Sequence, residues 1–518
     1  MSAAYTIPNP SDEPFAPAMA KVREISEHLS SAGTLRAEHS EVESWLDVQG
    51  RELMRLMLQE HFDLRAAAEQ PVPVRDERGV QRTTTRAGVR TLESLFGETD
   101  VSRLIYRAPG QDGLAPLDAM LNLSMDHYSH GVRRFVAKEI ARASFDEVVE
   151  LIRDRSGAKI AKRQVEELAV RAAQDFDAFY ELRKREHEQS TDLLVLTTDG
   201  KGVVMRHEDL REATRLAAER AVNKLETRLS PGEKADRKRM AQVCAVYGVA
   251  QWPRTAADVL HTTRDEHTES ARPHPSEKRV WATVEKHSRV AIREMFEEAL
   301  RRDPERRRRW VVLVDGEPRQ LKAIKAEARC IGATVTIILD IVHVIEYLWL
   351  AGRALFGSST PEAESWVGHR LLALLTGRSG GDVAGTIRWW AANRTAELDA
   401  AARKAIKKAC GYLANRMRTR LMHYDAALRD GLPIATGVIE GACRYLVKDR
   451  MDRTGACWSV QGAEAVLRLR ALRASGDFDE YWHFHLAREK ERNHATRYAD
   501  HQLPDPLPAL KPRLRRIK

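Results

Sequence analysis

The stretch LLVLTTDGKGV, residues 193–203, opens on an unbroken apolar run and closes on Asp199-Gly200. A run this short, with no polar face, fits a strand buried on both sides of a sheet. The pattern recurs in VVLVDGEP (311–318) and VTIILD (335–340), again with an aspartate, Asp315 or Asp340, at the end. Between the first two lies AQVCAVYGVA (241–250), which alternates like a half-exposed strand. Helical segments separate the runs, including Lys278–Arg301. Strands alternating with helices predict an α/β core. Residues 343–430 read as helical throughout, and 437–490 as mainly helical.

An acid at the end of a buried strand is costly unless it is paired, hydrogen-bonded or bound to a metal. Three such acids in one α/β unit predict a carboxylate cluster at one edge of the sheet, where open α/β sheets carry their sites. Gly200 and Gly316 follow two of them. Glycine permits close approach of a ligand, but Asp-Gly is also an ordinary turn dipeptide.

A fourth acid lies in PIATGVIEGACRYLVKDRMDRTGACWS, 433–459. Glu440 falls in the first turn of a helix expected to start near Gly437. There the helix dipole alone would stabilise it. At helical spacing Glu440, Arg444 and Lys448 share a stripe, with Ile439, Cys443, Leu446 and Val447 on the apolar side. Lys201, Arg444, Lys448, Arg450 and Arg453 are candidates for phosphate contacts. Trp458 either stacks on a splayed base or packs in the core. Two strand aspartates and a helix glutamate suit a pair of hard divalent cations, Mg2+ or Mn2+. Such ions sit about 3.5–4 Å apart in phosphodiester displacement.

Upstream, a helix around Val42–Ala68 and a strand pair around Gly88–Tyr106 read as a small mixed module (1–128). In 129–190, Ser144 and Glu147 fit a capping box, and Phe145, Val148, Val149 and Ile152 follow at helical period. Gly157 then stops the helix. A second helix opens with Lys162, Arg163 and Gln164, side chains suited to phosphates and base edges. This is a helix-turn-helix pattern, or else an ordinary helical hairpin.

The chain has 518 residues, 84 Lys plus Arg against 75 Asp plus Glu, and a net charge of +9, which makes a polyanionic partner plausible. Its 43% apolar content is that of a globular protein, and no apolar run is long enough for a membrane span. The beginning has no secretory pattern, and the five cysteines contain no C-x-x-C pair. A reducing, cytoplasmic setting at the nucleoid is expected, with the cysteines buried as small apolar side chains. Trp389 and Trp390 are expected in the core of the helical region. The end, LKPRLRRIK, is a basic tail (496–518) suited to phosphate backbone.

The strings TTDGKGVVM (197–205), VVLVDGEP, ILDIVHVIEYLW (338–349) and GVIEGACRYLVKDRMDRTGACWS (437–459) resemble those of insertion-sequence transposases of the ISKra-four family. The resemblance extends upstream to WLDVQGRELMRLMLQEHFDLRA (45–66), LFGETDVSRLIY (95–106) and HYSHGVRRFVAKEIARASFDEVVE (127–150), so it covers about 45–490. It implies a DDE transposase whose RNase H-like core, a mixed five-stranded sheet, spans 191–350 and 433–495. An all-helical insertion would occupy 351–432, and a mainly helical DNA-binding region would precede the core. It places Asp199 on the first strand, Asp315 on the fourth and Glu440 on a helix after the insertion. It further implies two Mg2+ or Mn2+ ions, binding to terminal inverted repeats and target DNA, cleavage and strand transfer, and a homo-oligomer.

Asp340 is the rival of Asp315. In an RNase H-like sheet the first strand neighbours the fourth and the fifth lies beyond. At about 4.8 Å per strand this favours Asp315 as the partner of Asp199. Asp340 and His343 then form an Asp-x-x-His pair similar to the Cys-x-x-His of Mutator-like transposases, or simply a helix cap and its neighbour. Two alternatives to the transposase remain at this stage. One is a catalytically silent DNA-binding derivative; the other is an RNase H-like nuclease without strand transfer.

Overall fold

In a computed structural model of the chain, the described residues are 14–158, 160–183, 190–220, 237–261, 272–358, 360–394, 398–417, 421–435, 437–453 and 455–508. The basic residues of the tail from Lys511 onward lie outside them. The protein is mixed α/β and divides into two compact units, 1–182 with 477–518, and 183–476. Residues 129–182 therefore share a unit with the 1–128 module, and 477–495 belong there too. Among the described residues, no helix is long and apolar enough to cross a membrane.

The first unit holds the helix His39–Ala68 and an antiparallel hairpin of β1 (Thr84–Ser94) and β2 (Gly97–Arg107). The expected capping box is present. Ser144 accepts from Glu147 N, the Glu147 side chain returns to Ser144 N, and Gly157 ends the helix in the left-handed region at φ 73°. The second helix runs Lys162–Ala172. The helix Phe478–Asn493 completes the unit through buried ion pairs, among them Arg133 with Glu489 at 2.7 Å.

The second unit is built on a five-stranded sheet in the order β5-β4-β3-β6-β7. The strands are β3 (Leu193–Val204), β4 (Lys238–Val249), β5 (Ser276–Thr283), β6 (Trp310–Val314) and β7 (Val335–Leu339). β3 pairs antiparallel with β4, and β4 with β5, while β3–β6 and β6–β7 are parallel. All five residues of β6 are buried, as an unbroken apolar run in a central strand requires.

Two expectations are corrected here. β4 is not half-exposed: Val243 to Gly248 are buried, because β4 is an inner strand covered on both faces. Residues 276–283 are not helical but form β5, and the helix starts only at Ser288. SEKR looks helical because it is charged, but in the strand Arg279 is buried and its charge is met by Glu298 at 2.6 Å. From Ile341 to Arg429 the described residues contain helices and no strand, as expected. Within them Trp389 is 62% exposed, contrary to the core position expected from sequence, while Trp390 packs against Phe356 at 5.4 Å.

Candidate functional site

β3 and β6 pair in parallel from Leu194↔Trp310 to Thr197↔Leu313, and that register, continued two residues, brings Asp199 level with Asp315. β6 and β7 pair as far as Val314↔Leu339, and one residue further Asp315 is level with Asp340. The Asp340 amide donates to Val314 O at 2.8 Å, which holds this edge together. The three aspartates therefore form one row across three neighbouring parallel strands. β6 is the direct neighbour of β3 and β7 lies beyond it, the strand order that favours Asp315 beside Asp199.

The aspartates differ in setting. Asp199 lies inside β3, so the turn reading of Asp199-Gly200 is excluded. Its Oδ1 accepts from Gly200 N at 2.6 Å, and its Oδ2 accepts from the Cys443 thiol at 3.3 Å. Asp315 follows the end of β6, and its Oδ1 accepts from Glu317 N at 2.8 Å. Here the glycine is required by conformation and by space. Gly316 sits at φ +85°, and a Cβ would lie 2.8 Å from both Arg416 Nε and Leu339 Cδ1. Asp340 is buried and caps the helix Ile341–Phe356, accepting from Val342 N at 2.9 Å. His343, one turn on, faces Glu346 at 3.5 Å.

Glu440 stands exposed in the first turn of the helix Gly437–Ala442. Its carboxyl is pushed above the ordinary range by burial and then by the negative charge of Asp340. Glu346 and Asp199 add to this, and His343 opposes it. Its helix packs against β3 and β4, and Cys443, one turn on, bonds Asp199, so Glu440 lies beside the row. Among the described residues, Asp199, Asp315 and Glu440 form no ion pair. That donor set fits hard divalent cations. The three do not each bring an oxygen within 4.8 Å of the others. Among the described residues the group that does so is Glu93, Glu98 and His127 in the first unit. Sequence reading missed it, although Glu93 and Glu98 flank the hairpin turn in direct register.

Beyond Glu440 the chain departs from α-helical spacing. Cys443–Lys448 is a π-helix, a form that often marks functional sites. It breaks the expected Glu440–Arg444–Lys448 stripe, and Arg444 instead faces Asp449, five residues on, at 3.7 Å. Cys443, the first residue of this segment, bonds Asp199, a contact with no signal in the sequence. The apolar side is as expected, with Ile439, Cys443, Leu446 and Val447 buried. The Cys443 thiol is pushed up strongly by burial and by the Asp199 charge.

Of the predicted phosphate-binding residues, Lys448, Arg444 and Arg453 are exposed and Lys201 is half-buried. Arg450 is buried, against its expected place at a phosphate, and Trp458 is buried too, the core alternative of the two that the sequence offered. Arg450 lies over the Trp458 ring, whose Nε1 donates to Met451 O at 3.2 Å. The Trp458 backbone bonds both Val204 O and Arg206 N, tying the loop after the Glu440 helix to the end of β3. These two residues build the site's frame. In the first unit, Lys162 is paired with Asp146 at 2.8 Å and Arg163 with Glu167 at 3.2 Å. The Gln164 Oε1 accepts from Ala161 N and Tyr128 OH.

No family model and no characterised protein matches the sequence.

Proposed function

We propose that the protein is a DDE-type transposase that binds the ends of its own element, cleaves DNA and joins the freed end to target DNA. The observation that carries this reading is the row of Asp199, Asp315 and Asp340 on three adjacent parallel strands, with Glu440 brought to it by a later helix. The order β5-β4-β3-β6-β7, with two parallel strands beside an antiparallel trio, supports an RNase H-like core. The helices between Ile341 and Arg429 would be its insertion.

Asp199, Asp315 and Glu440 would hold the two divalent cations, which supply charge neutralisation at the attacking and leaving oxygens. The chain's own part is positioning. Gly200 N and Cys443 fix the two oxygens of Asp199, and Glu317 N fixes Asp315. Rigid carboxylates spare the site reorganisation when the phosphodiester arrives. Lys201, Arg444, Lys448 and Arg453 offer cations to the DNA backbone from the elements that carry Asp199 and Glu440. Asp340 and His343, at the start of the next helix, would orient a phosphate or a flanking strand beside the row. Two DNA ends must meet, so a homo-oligomer is expected.

The test uses purified protein, labelled element ends and Mg2+ or Mn2+. Asp199→Ala, Asp315→Ala and Glu440→Ala each abolish cleavage while end binding persists. Cleavage by Asp315→Ala with none by Asp340→Ala would assign Asp340 as the second ligand. Normal cutting by all four variants would sink the site. Cleavage without joining would mark a nuclease, and binding without cleavage a silent derivative.

A further inference from the structure

Two glutamates face each other at the tip of the hairpin in the first unit. Glu93 on β1 and Glu98 on β2 are direct cross-strand partners, so their side chains leave the same face of the ribbon. Like charges in that position repel. Neighbouring cations do not relieve them. Arg55, whose stem lies against Gly97, is held by Glu52 at 2.7 Å. Arg90, three residues before Glu93, donates to the carbonyls of Ser124 and Asp126 and lies 4.0 Å from Asp118.

A separate segment adds a third group. Glu93 N donates to His127 O at 2.8 Å, and Ser129 N donates to Glu93 O at 2.9 Å. Residues 127–129 therefore run beside β1 as a short parallel bridge, and the Arg90 bonds fix the residues just before them. One oxygen of each glutamate and one ring nitrogen of His127 lie within 4.8 Å of one another. Among the described residues these three side chains form no ion pair and no hydrogen bond. His127 thus stands close to the acids without neutralising them. Burial raises the carboxyl of half-buried Glu93, His127 opposes this, and Glu98 adds to it.

We infer that Glu93, Glu98 and His127 bind a divalent transition-metal ion of the zinc class. Two carboxylates and a neutral imidazole cancel the charge of one such ion. The histidine decides the class. Mg2+ and Ca2+ take shells of oxygen, whereas imidazole suits zinc and its neighbours. Zinc binds such donors at about 2.0–2.2 Å, which sets them about 3.3 Å apart in a tetrahedron. Glu98 and His127 are exposed, and small rotations of their ends close the set to that spacing. Water takes the fourth position. The ion clamps the hairpin tip to the segment that leads into the helix His130–Ile140. It is a different ion, in a different unit, from those proposed at the acid row, and the inference does not depend on that row.

The experiment uses the full-length protein stripped with EDTA and titrated with Zn2+ by calorimetry, in a background of Asp199→Ala with Glu440→Ala. One equivalent of zinc should bind in that background. His127→Ala and Glu98→Gln, each added to it, should weaken that binding by about 100-fold or more, beyond what loss of an outer-shell partner costs. Co2+ in place of zinc should give tetrahedral d–d absorption without a thiolate charge-transfer band, which separates this site from the exposed Cys330 and Cys457. Thermal unfolding supplies a readout that misfolding cannot imitate. Without metal, Glu98→Gln loses a like-charge contact and should melt at or above the parent temperature. With zinc the parent should gain stability and the variant should not. No zinc bound in the background protein, or equal affinity in His127→Ala, overturns the inference, as does an equal gain in melting temperature for Glu98→Gln. Zinc binding as expected, with no DNA cleavage by the wild type in Mg2+, would sink the proposed function and leave the inference standing.

Discussion

Two sets of carboxylates in this protein are handled in opposite ways. Around the helix Phe478–Asn493, the buried acids Asp175 and Glu489 meet cations. Arg133 bridges Asp126 at 2.6 Å and Glu489 at 2.7 Å, and Asp175 accepts from His485 at 2.7 Å and from Arg492 at 3.0 Å. Burial pushes the carboxyls of Asp175 and Glu489 up. The hydrogen bonds from His485 and Arg492 to the first, and from Arg492 and Arg133 to the second, overcome it and hold each at about 2. On the β3–β6–β7 edge the partners are backbone amides and a thiol, and Glu440 is pushed up instead of down. Matched charges hold a fold together. Carboxylates without ion pairs, kept on rigid strands, add no such stabilisation.

The largest effect that would sharpen this contrast is at Arg133. Arg133→Met leaves Glu489 and Asp126 without their bridging cation and should cost about 3–5 kcal/mol in urea unfolding. Asp199→Asn, which removes one charge without breaking an ion pair, should cost far less. Similar losses for the two would erase the distinction.

Acid should act on the first unit in two pH windows. Asp175 and Glu489 have folded values near 2, below their ordinary 3.8 and 4.5. Their contribution is full above the ordinary values and is lost as pH falls toward 2. His130 is held at about 4, below its ordinary 6.5, by burial and then by the charge of Arg133. The unfolded chain takes up this proton first, so loss begins below pH 6.5. Glu69, pushed up to about 7 by burial, gains stability as pH falls from 7 to 4.5 and so offsets the His130 loss. Melting temperatures across pH should therefore change little in the wild type between pH 7 and 4.5 and fall below that, while His130→Phe should unmask a rise in the upper window. A His130→Phe profile identical to the wild type would contradict this assignment.

The two Asp-Gly pairs give the smallest and most local comparison. Gly316→Ala must adopt a positive φ against Arg416 and Leu339, at a cost of about 1–3 kcal/mol. Gly200 has no such φ and would meet only the flexible end of Met240 at 3.1 Å. Gly200→Ala should leave stability unchanged or raise it by up to about 1 kcal/mol. Equal costs in thermal unfolding would mean the two glycines do the same work.

Much of the frame was legible because it rests on local rules. The apolar runs of β3, β6 and β7 name themselves, and so do the Ser144–Glu147 box and Gly157. β5 was not legible, because the charge of Arg279 is neutralised by Glu298, nineteen residues away. Trp458, Arg450 and Trp389 illustrate the limit for side chains. An aromatic beside basic residues reads the same whether its ring is under a backbone carbonyl or in open solvent. Cys443 bonds Asp199 at the point where the helix widens into a π-turn, and neither feature is announced by periodicity.

Period and turn chemistry are local, so aspartates at strand ends of an α/β unit and a glutamate at the start of a later helix are legible in the residues. That the aspartates stand in one row, that Glu440 approaches it near Asp340, and that Cys443 rather than a cation holds Asp199 are matters of tertiary packing. Register between strands and the facing of helices are set by contacts between distant segments, Asp199 and Cys443 lying 244 positions apart, and no local pattern encodes which of them will meet.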